Sequence, residues 1–238
     1  MQSYVIHFIR HGLTEGNLQG RYVGRTDLPL APAGRAQLEK QRRAGGYPAA
    51  QAYFCAPQLR CRETLEVLYP QARPALVDGF SECDFGAWEG KTAGEIAQAD
   101  PHFMEWMNGG PQAGPAGGES NQAFMYRVCA AFEALVEQLL RTQTVSAVVV
   151  ASGGVIMSLL AAYGLPRAQA YEWMMDAGCG YSVRITPGLW MRSMVAEVYA
   201  QLPPREDPAE NGGILNLARE AAARSYGGRD EEASRQEP

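Results

Sequence analysis

Residues 146–151, Ser-Ala-Val-Val-Val-Ala, have an apolar centre with no polar alternate. A strand that shows one face to water alternates apolar and polar side chains, so this run reads as a strand buried on both faces, as in a parallel sheet covered by helices. Tyr4–Ile9 is a second apolar run that reads as a buried strand, and shorter strands are expected at Ala52–Cys55 and Pro74–Val77. Helical patterns alternate with them. Pro32 suits the first turn of a helix that runs to about Arg43 and stops at Gly45-Gly46, and another helix opens within Ala56–Thr64. A long helix carries Phe124, Val128, Phe132, Leu135 and Leu139 at helical spacing, a core stripe. An apolar helix follows residue 152 through Tyr163, and Pro166 is expected to start one more. Tyr181–Thr186 and Met194–Tyr199 read as an antiparallel pair bridged by Pro187-Gly188. This order predicts an α/β fold, a three-layer α/β/α sandwich with a mostly parallel sheet.

The Tyr4–Ile9 strand ends abruptly in Arg10-His11-Gly12. That places a cation, an imidazole and a flexible glycine at the carboxyl end of a strand, where open α/β sheets bind ligands. Arginine is a fixed cation with a planar fork suited to phosphate or carboxylate. Histidine is a nucleophile that is neutral at pH 7 when unperturbed. Thr14 and Asn17 add side-chain donors within the same stretch. Together these groups describe a place that holds an oxyanion and attacks it.

Three further segments carry chemistry. The stretch Gly20–Leu30 reads as a loop over the site, in which Arg21 and Arg25 either add positive charge or sit solvated. Arg60 and Thr64 share one face of their helix, whose N-terminus favours anions, while Arg62 faces solvent. Glu82 lies among Phe80, Cys83 and Phe85, surroundings that disfavour its ionised form and suit a proton donor. Residues 92–107 read as one or two short helices, with His102 as a cap-proximal histidine. Residues 108–118, rich in Gly and Pro, read as a lid-like loop.

Arg10-His11-Gly12-x-Thr14-x-x-Asn17 resembles the signature of the histidine phosphatase superfamily, which includes the phosphoglycerate mutases. Gly24-x-x-Asp27-x-Pro29-Leu30, Arg60-x-x-x-Thr64, with Cys55 where serine is usual, and Gly117-Gly118-Glu119-Ser120 resemble further family segments. Glu82-x-x-Phe85-Gly86-x-Trp88-Glu89-Gly90 resembles the phosphatase branch more than the mutase branch. The resemblance implies a phosphoglycerate mutase-like fold and a phosphomonoester hydrolase working through a phosphohistidine on a small phosphorylated metabolite. It implies His11 as nucleophile and Glu82 as general acid. Arg10, Asn17, Arg60, Ser152 and Gly153 would hold the phosphate, and Thr14, Arg21 and Gly24 would belong to the substrate loop. Glu89 holds loop structure. No cofactor and no metal are implied.

One departure stands out. After the late buried strand the family usually carries a second histidine, and here the matching residue is Ser152. The chain has three histidines, His7, His11 and His102, and no realignment brings another to that place. The expectation is a weakened phosphatase; the alternatives are a pseudo-phosphatase that binds a phosphorylated ligand and, with less support, a mutase.

Composition bounds the partners. A net charge of −5 argues against nucleic-acid binding, which needs a basic face. No apolar run reaches the length of a membrane span, and no basic segment precedes an apolar stretch at the N-terminus, so neither membrane insertion nor a secretory signal is expected. Five cysteines without a CxxC pair fit a reduced, cytoplasmic protein. The histidine phosphatase-like domain is expected over residues 1–200. Residues 201–238 read as a charged tail, with a short helix at 214–226 and a disordered polar end.

Overall fold

The computed structural model describes residues 2–204; the tail helix expected at 214–226 lies outside the described residues. The chain runs β1 (Tyr4–Arg10), α1 (Glu15–Leu18), α2 (Pro32–Ala44), β2 (Ala52–Cys55), α3 (Leu59–Leu68) and β3 (Ala75–Leu76). It continues through α4 (Ala93–Ala99), α5 (Phe103–Met107), α6 (Asn121–Thr142), β4 (Ser146–Ala151) and α7 (Gly153–Tyr163). It closes with β5 (Gly164–Leu165), β6 (Gly180–Ile185), α8 (Pro187–Ser193) and β7 (Ala196–Leu202).

The strands form one seven-stranded sheet in the order β3-β2-β4-β1-β6-β7-β5. The half from β3 to β1 is parallel, β6 is antiparallel to both β1 and β7, and β5 is parallel to β7. Ala147–Ala151 are fully buried, as an all-apolar strand requires. Helix α2 packs on α3 and α6 packs on α7, and these pairs cover the sheet to give the three-layer sandwich. Helix α6 buries Phe124, Val128, Phe132, Leu135 and Leu139, together with Val136. Each such side chain contributes roughly 1.5–3 kcal/mol relative to exposure.

Register places the site. Arg10 lies level with Ala151 in the parallel β1–β4 pair, so His11 and Ser152 leave the sheet side by side at its carboxyl end. Ala56 leaves β2 at the same end, its amide donating to Val150 O at 2.9 Å.

Two expectations are corrected. No helix starts at Pro166. Gln169 and Glu172 instead close a capping box three residues on, opening a single 3-10 turn at Ala170–Trp173, and Trp173 and Met175 bury against the core. Second, β6 and β7 are joined by a helix rather than a turn. Pro187 opens α8, and Trp190 is buried with its ring 5.6 Å from Phe132 and 5.4 Å from Tyr163. Apolar burial of that one indole overrides the turn signal of Pro-Gly.

Candidate active site

The turn after β1 fixes the imidazole first. The His11 amide donates to Ala151 O at 3.0 Å, and its Nδ1 lies 2.7 Å from Gly12 O. A carbonyl only accepts, so Nδ1 carries the proton and Nε2 presents a lone pair. Burial, with Arg60 and Arg10 nearby and the Gly12 bond opposing, lowers the His11 pKa from 6.5 to about 3. The ring is therefore neutral at pH 7.

Thr64 ties this turn to α3. Its Oγ1 accepts from the Gly12 amide at 2.9 Å and donates to Arg60 O at 2.6 Å. Thr64→Val keeps the shape and strands a buried amide, a loss of roughly 1–3 kcal/mol. A lower denaturant midpoint with an unchanged slope is the expected result; an unchanged midpoint contradicts this role.

The two guanidiniums are held differently. Arg10 Nη1 donates to Met175 O at 2.6 Å, while its Nε is buried and has no hydrogen-bond partner among the described residues. Gly153 lies beside it, where a Cβ would stand 3.3 Å from that Nε. Arg60 is almost wholly buried and is gripped by the loop that precedes α2. Its Nη1 donates to Thr26 O at 3.1 Å, and its Nη2 donates to Gly24 O at 3.0 Å and Val23 O at 3.4 Å. Its Nη2 also lies 3.5 Å from Ser152 Oγ.

That loop is shaped by Glu89, which accepts from the Gly24 and Arg25 amides at 2.9 and 2.8 Å and from Thr26 Oγ1 at 2.8 Å. Gly24 permits the approach, since a Cβ there would sit 1.8 Å from Cys83 O. The expectation that the α3 N-terminus faces an anion needs correction at its first amide. Asp27 Oδ1 accepts from the Leu59 amide at 2.6 Å, so a carboxylate of the chain already fills that place.

Glu82 reaches the N-terminus of α7. Its Oε1 accepts from its neighbour's amide, Cys83 N, at 2.8 Å, and its Oε2 from Gly154 N at 3.3 Å. Burial raises its pKa above the ordinary carboxylate value, outweighing those two bonds and the nearby Arg60 and Arg10. A Cβ on Gly154 would lie 2.6 Å from Glu82 Oε1, so a side chain there would push the carboxyl aside. Ser152 is the N-cap residue of α7 but makes no side-chain cap bond; it is buried and turned toward Arg60.

His11, Arg10, Arg60, Glu82, Ser152, Gly153 and the Gly24 loop thus converge at the carboxyl end of the sheet. Several other groups, the Asn17 carboxamide oxygen among them, are committed elsewhere. Thr14 is the buried N-cap of α1, in a capping box with Asn17, whose Oδ1 accepts from the Thr14 amide and hydroxyl. Arg21 donates to Gly90 O and Gln19 Oε1 and faces Glu95 at 3.6 Å. His7 pairs with Ser182 Oγ at 2.8 Å inside the sheet, and exposed His102 faces Glu105 at 3.7 Å. No group of three or more His, Cys, Asp or Glu fit for a metal occurs among the described residues. Sequence reasoning missed Arg127, which binds the backbone of the Glu82 segment, and no pattern marked it.

Residues 6–196 match the family model of the histidine phosphatase superfamily (branch 1), and the chain belongs to that superfamily. It is an enzyme of the phosphoglycerate mutase-like histidine phosphatase type. Among its relatives, the adenosylcobalamin/alpha-ribazole phosphatase of Escherichia coli (strain K12) is 29% identical over 182 residues, 74% of this chain and 88% of that protein. A solved structure of the alpha-ribazole phosphatase from Shigella flexneri superposes with a TM-score of 0.67 at 25% identity, covering 82% of this chain and 94% of that one. A phosphoglycerate mutase structure from Thermus thermophilus superposes with a TM-score of 0.60 at 30% identity, covering 83% of this chain and 98% of that one.

Proposed function

We propose that the protein hydrolyses small phosphomonoesters through a phosphohistidine on His11. The observation that carries this reading is a neutral imidazole with Nε2 free, set beside two guanidiniums, one of them with an unsatisfied buried Nε. An unpaired buried donor costs roughly 1–3 kcal/mol, and a phosphate oxygen would satisfy it. In this reading Arg10, Arg60 and the Gly153 end of α7 hold the phosphate oxygens, Asn17 adds its carboxamide nitrogen, and Ser152 completes the hollow.

The steps balance with these groups alone. His11 Nε2 attacks phosphorus, the bond to the ester oxygen breaks, and that oxygen takes the Glu82 proton as the alcohol leaves. Glu82, now a carboxylate, accepts a proton from water as the water oxygen attacks phosphorus. The N–P bond breaks, inorganic phosphate departs, and His11 and Glu82 return to their starting states. Release of stoichiometric phosphate from an aryl phosphate tests the activity. An acid-labile phosphorylated protein, trapped with rapid quenching, tests the intermediate.

Glu82→Gln tests the proton donor. General acid assistance is worth on the order of 10²–10⁴-fold, so an alkyl ester should lose about that much. In kcat/KM, which the later water step common to both esters does not enter, an aryl ester whose phenolate leaves unaided should lose far less. The raised Glu82 pKa also sets a sign: wild-type activity on the alkyl ester should fall as pH rises through it, and the variant should lack that limb. Equal losses on both esters, with the limb retained, would remove Glu82 from this role.

Ser152 favours a second reading, that of a protein that binds a phosphorylated ligand with little turnover. By family resemblance a histidine belongs at that place, and a serine hydroxyl is a shorter, neutral donor. Substantial turnover by the unaltered protein rejects it.

A further inference from the structure

Arg127 lies on α6, and its side chain is only partly exposed. Every one of its N–H donors is spent. Nε and Nη2 bind Glu119 side-on at 2.8 and 2.6 Å. Nη1 donates to Gly79 O at 3.0 Å and Ser81 O at 2.9 Å, and Nη2 donates also to Glu82 O at 3.3 Å. Glu119 continues the clamp, its Oε2 accepting from the Asp84 amide at 3.0 Å and its own amide donating to Asp84 O at 2.9 Å. A surface ion pair contributes little and needs no such saturation. A paired guanidinium that also fixes three carbonyls sets the path of a backbone that leaves the 3-10 turn Asp78–Phe80 and then has no ladder of its own.

That backbone carries Glu82. From residue 81 to residue 85 the chain has no regular secondary structure, and among the described residues the Glu82 carboxyl is held by hydrogen bonds from Cys83 N and Gly154 N alone. Its aim therefore depends on where the main chain puts it. The clamp reaches one residue further through Asp84, whose carboxylate pairs with Arg25 Nε at 2.9 Å on the loop that grips Arg60.

We infer that the Arg127–Glu119 pair is the positioning device for proton donation: from α6, behind the catalytic groups, it fixes the 79–84 backbone so that the Glu82 carboxyl meets the leaving oxygen. This deepens the reading of Glu82 given above and rests on it. Arg127 acts through Glu82 and is a positioning residue rather than a catalytic one.

The experiment compares an activated aryl phosphate with glycerol phosphate in Glu82→Gln, Arg127→Lys, the double variant Arg127→Met/Glu119→Gln, and the triple variant adding Glu82→Gln. The double variant removes both charges, so no buried ion is stranded, and the lysine variant keeps the charge pair while giving up the fork of donors. Circular dichroism and thermal midpoints check folding. Mispositioning by even an ångström costs on the order of 10²-fold, so the double variant should lose about that in kcat/KM on glycerol phosphate and under about threefold in kcat/KM on the aryl ester. Arg127→Lys should show the same selectivity at about tenfold. The triple variant should be no slower on glycerol phosphate than Glu82→Gln, because a donor already absent cannot be misaimed. If Glu82→Gln is selective but folded Arg127 variants lose both substrates equally, or neither, the positioning role is wrong and the Glu82 reading stands. If Glu82→Gln is itself unselective, both fall.

Discussion

Replacing His11 by alanine is expected to lower turnover of an aryl phosphate by at least about ten-thousand-fold, the scale on which removal of a covalent nucleophile is felt. The size follows from the absence of a substitute. Of the other histidines, His7 is held to Ser182 within the sheet and His102 is exposed on Glu105. The nearby Cys61 thiol is pushed up to about 12 by burial and carries no nucleophilic thiolate at neutral pH. The same variant has a stability signature of calculable sign. The His11 pKa is 6.5 in the unfolded reference and about 3 in the native protein, so between those values the unfolded chain binds the extra proton. The stability associated with burying a neutral ring is complete above about pH 6.5 and is lost as pH falls toward 3. His11→Ala should therefore be less acid-sensitive than wild type across that window, with the buried His7 still contributing to both. Undiminished phosphate release would end the assignment of His11, and an unchanged stability–pH slope would contradict its buried neutral state.

The strands were legible because their apolar runs carry no competing period. Ala52–Cys55 and Ser146–Ala151 match the observed β2 and β4, and the α6 stripe is buried as spaced. What failed was local. Pro166 satisfies the rule for a helix start, but the capping box of Gln169 and Glu172 sets the turn later, and the pull of Trp173 into the core is a tertiary effect. Pro187-Gly188 carries a turn signal that Trp190 overrules. At the site, a motif can nominate Arg60 but cannot say that three loop carbonyls hold its guanidinium, since those carbonyls belong to every residue type alike. Arg127 was invisible for a related reason. It lies on α6, eight residues past Glu119, and nothing in that spacing predicts that its donors reach back to residues 79–82.

Ser152→His should raise turnover by about a hundred- to a thousand-fold, the amount that one well-placed transition-state donor is worth, or roughly 3–4 kcal/mol. The geometry gives this substitution a defined place to act. Residue 152 follows Ala151, which stands level with Arg10 in the sheet, so its side chain emerges beside His11. Ser152 Oγ points toward Arg60 Nη2 at 3.5 Å, a long contact, and makes no cap bond that an imidazole would forfeit. The hydroxyl is thus at the right place but reaches less far than a ring, and it carries no charge to set against the phosphoryl oxygens. The rise should fall on kcat more than on KM, because in the proposed reading Arg10 and Arg60 bind the ground-state phosphate in either form. Steady-state kinetics on the aryl phosphate read this directly. A gain from near zero identifies a lapsed enzyme that retained its ligand site, whereas a gain from substantial turnover identifies a working hydrolase with a weakened donor. A folded variant with no gain would mean that residue 152 does not face the transferring group, and the serine would then explain nothing about the rate.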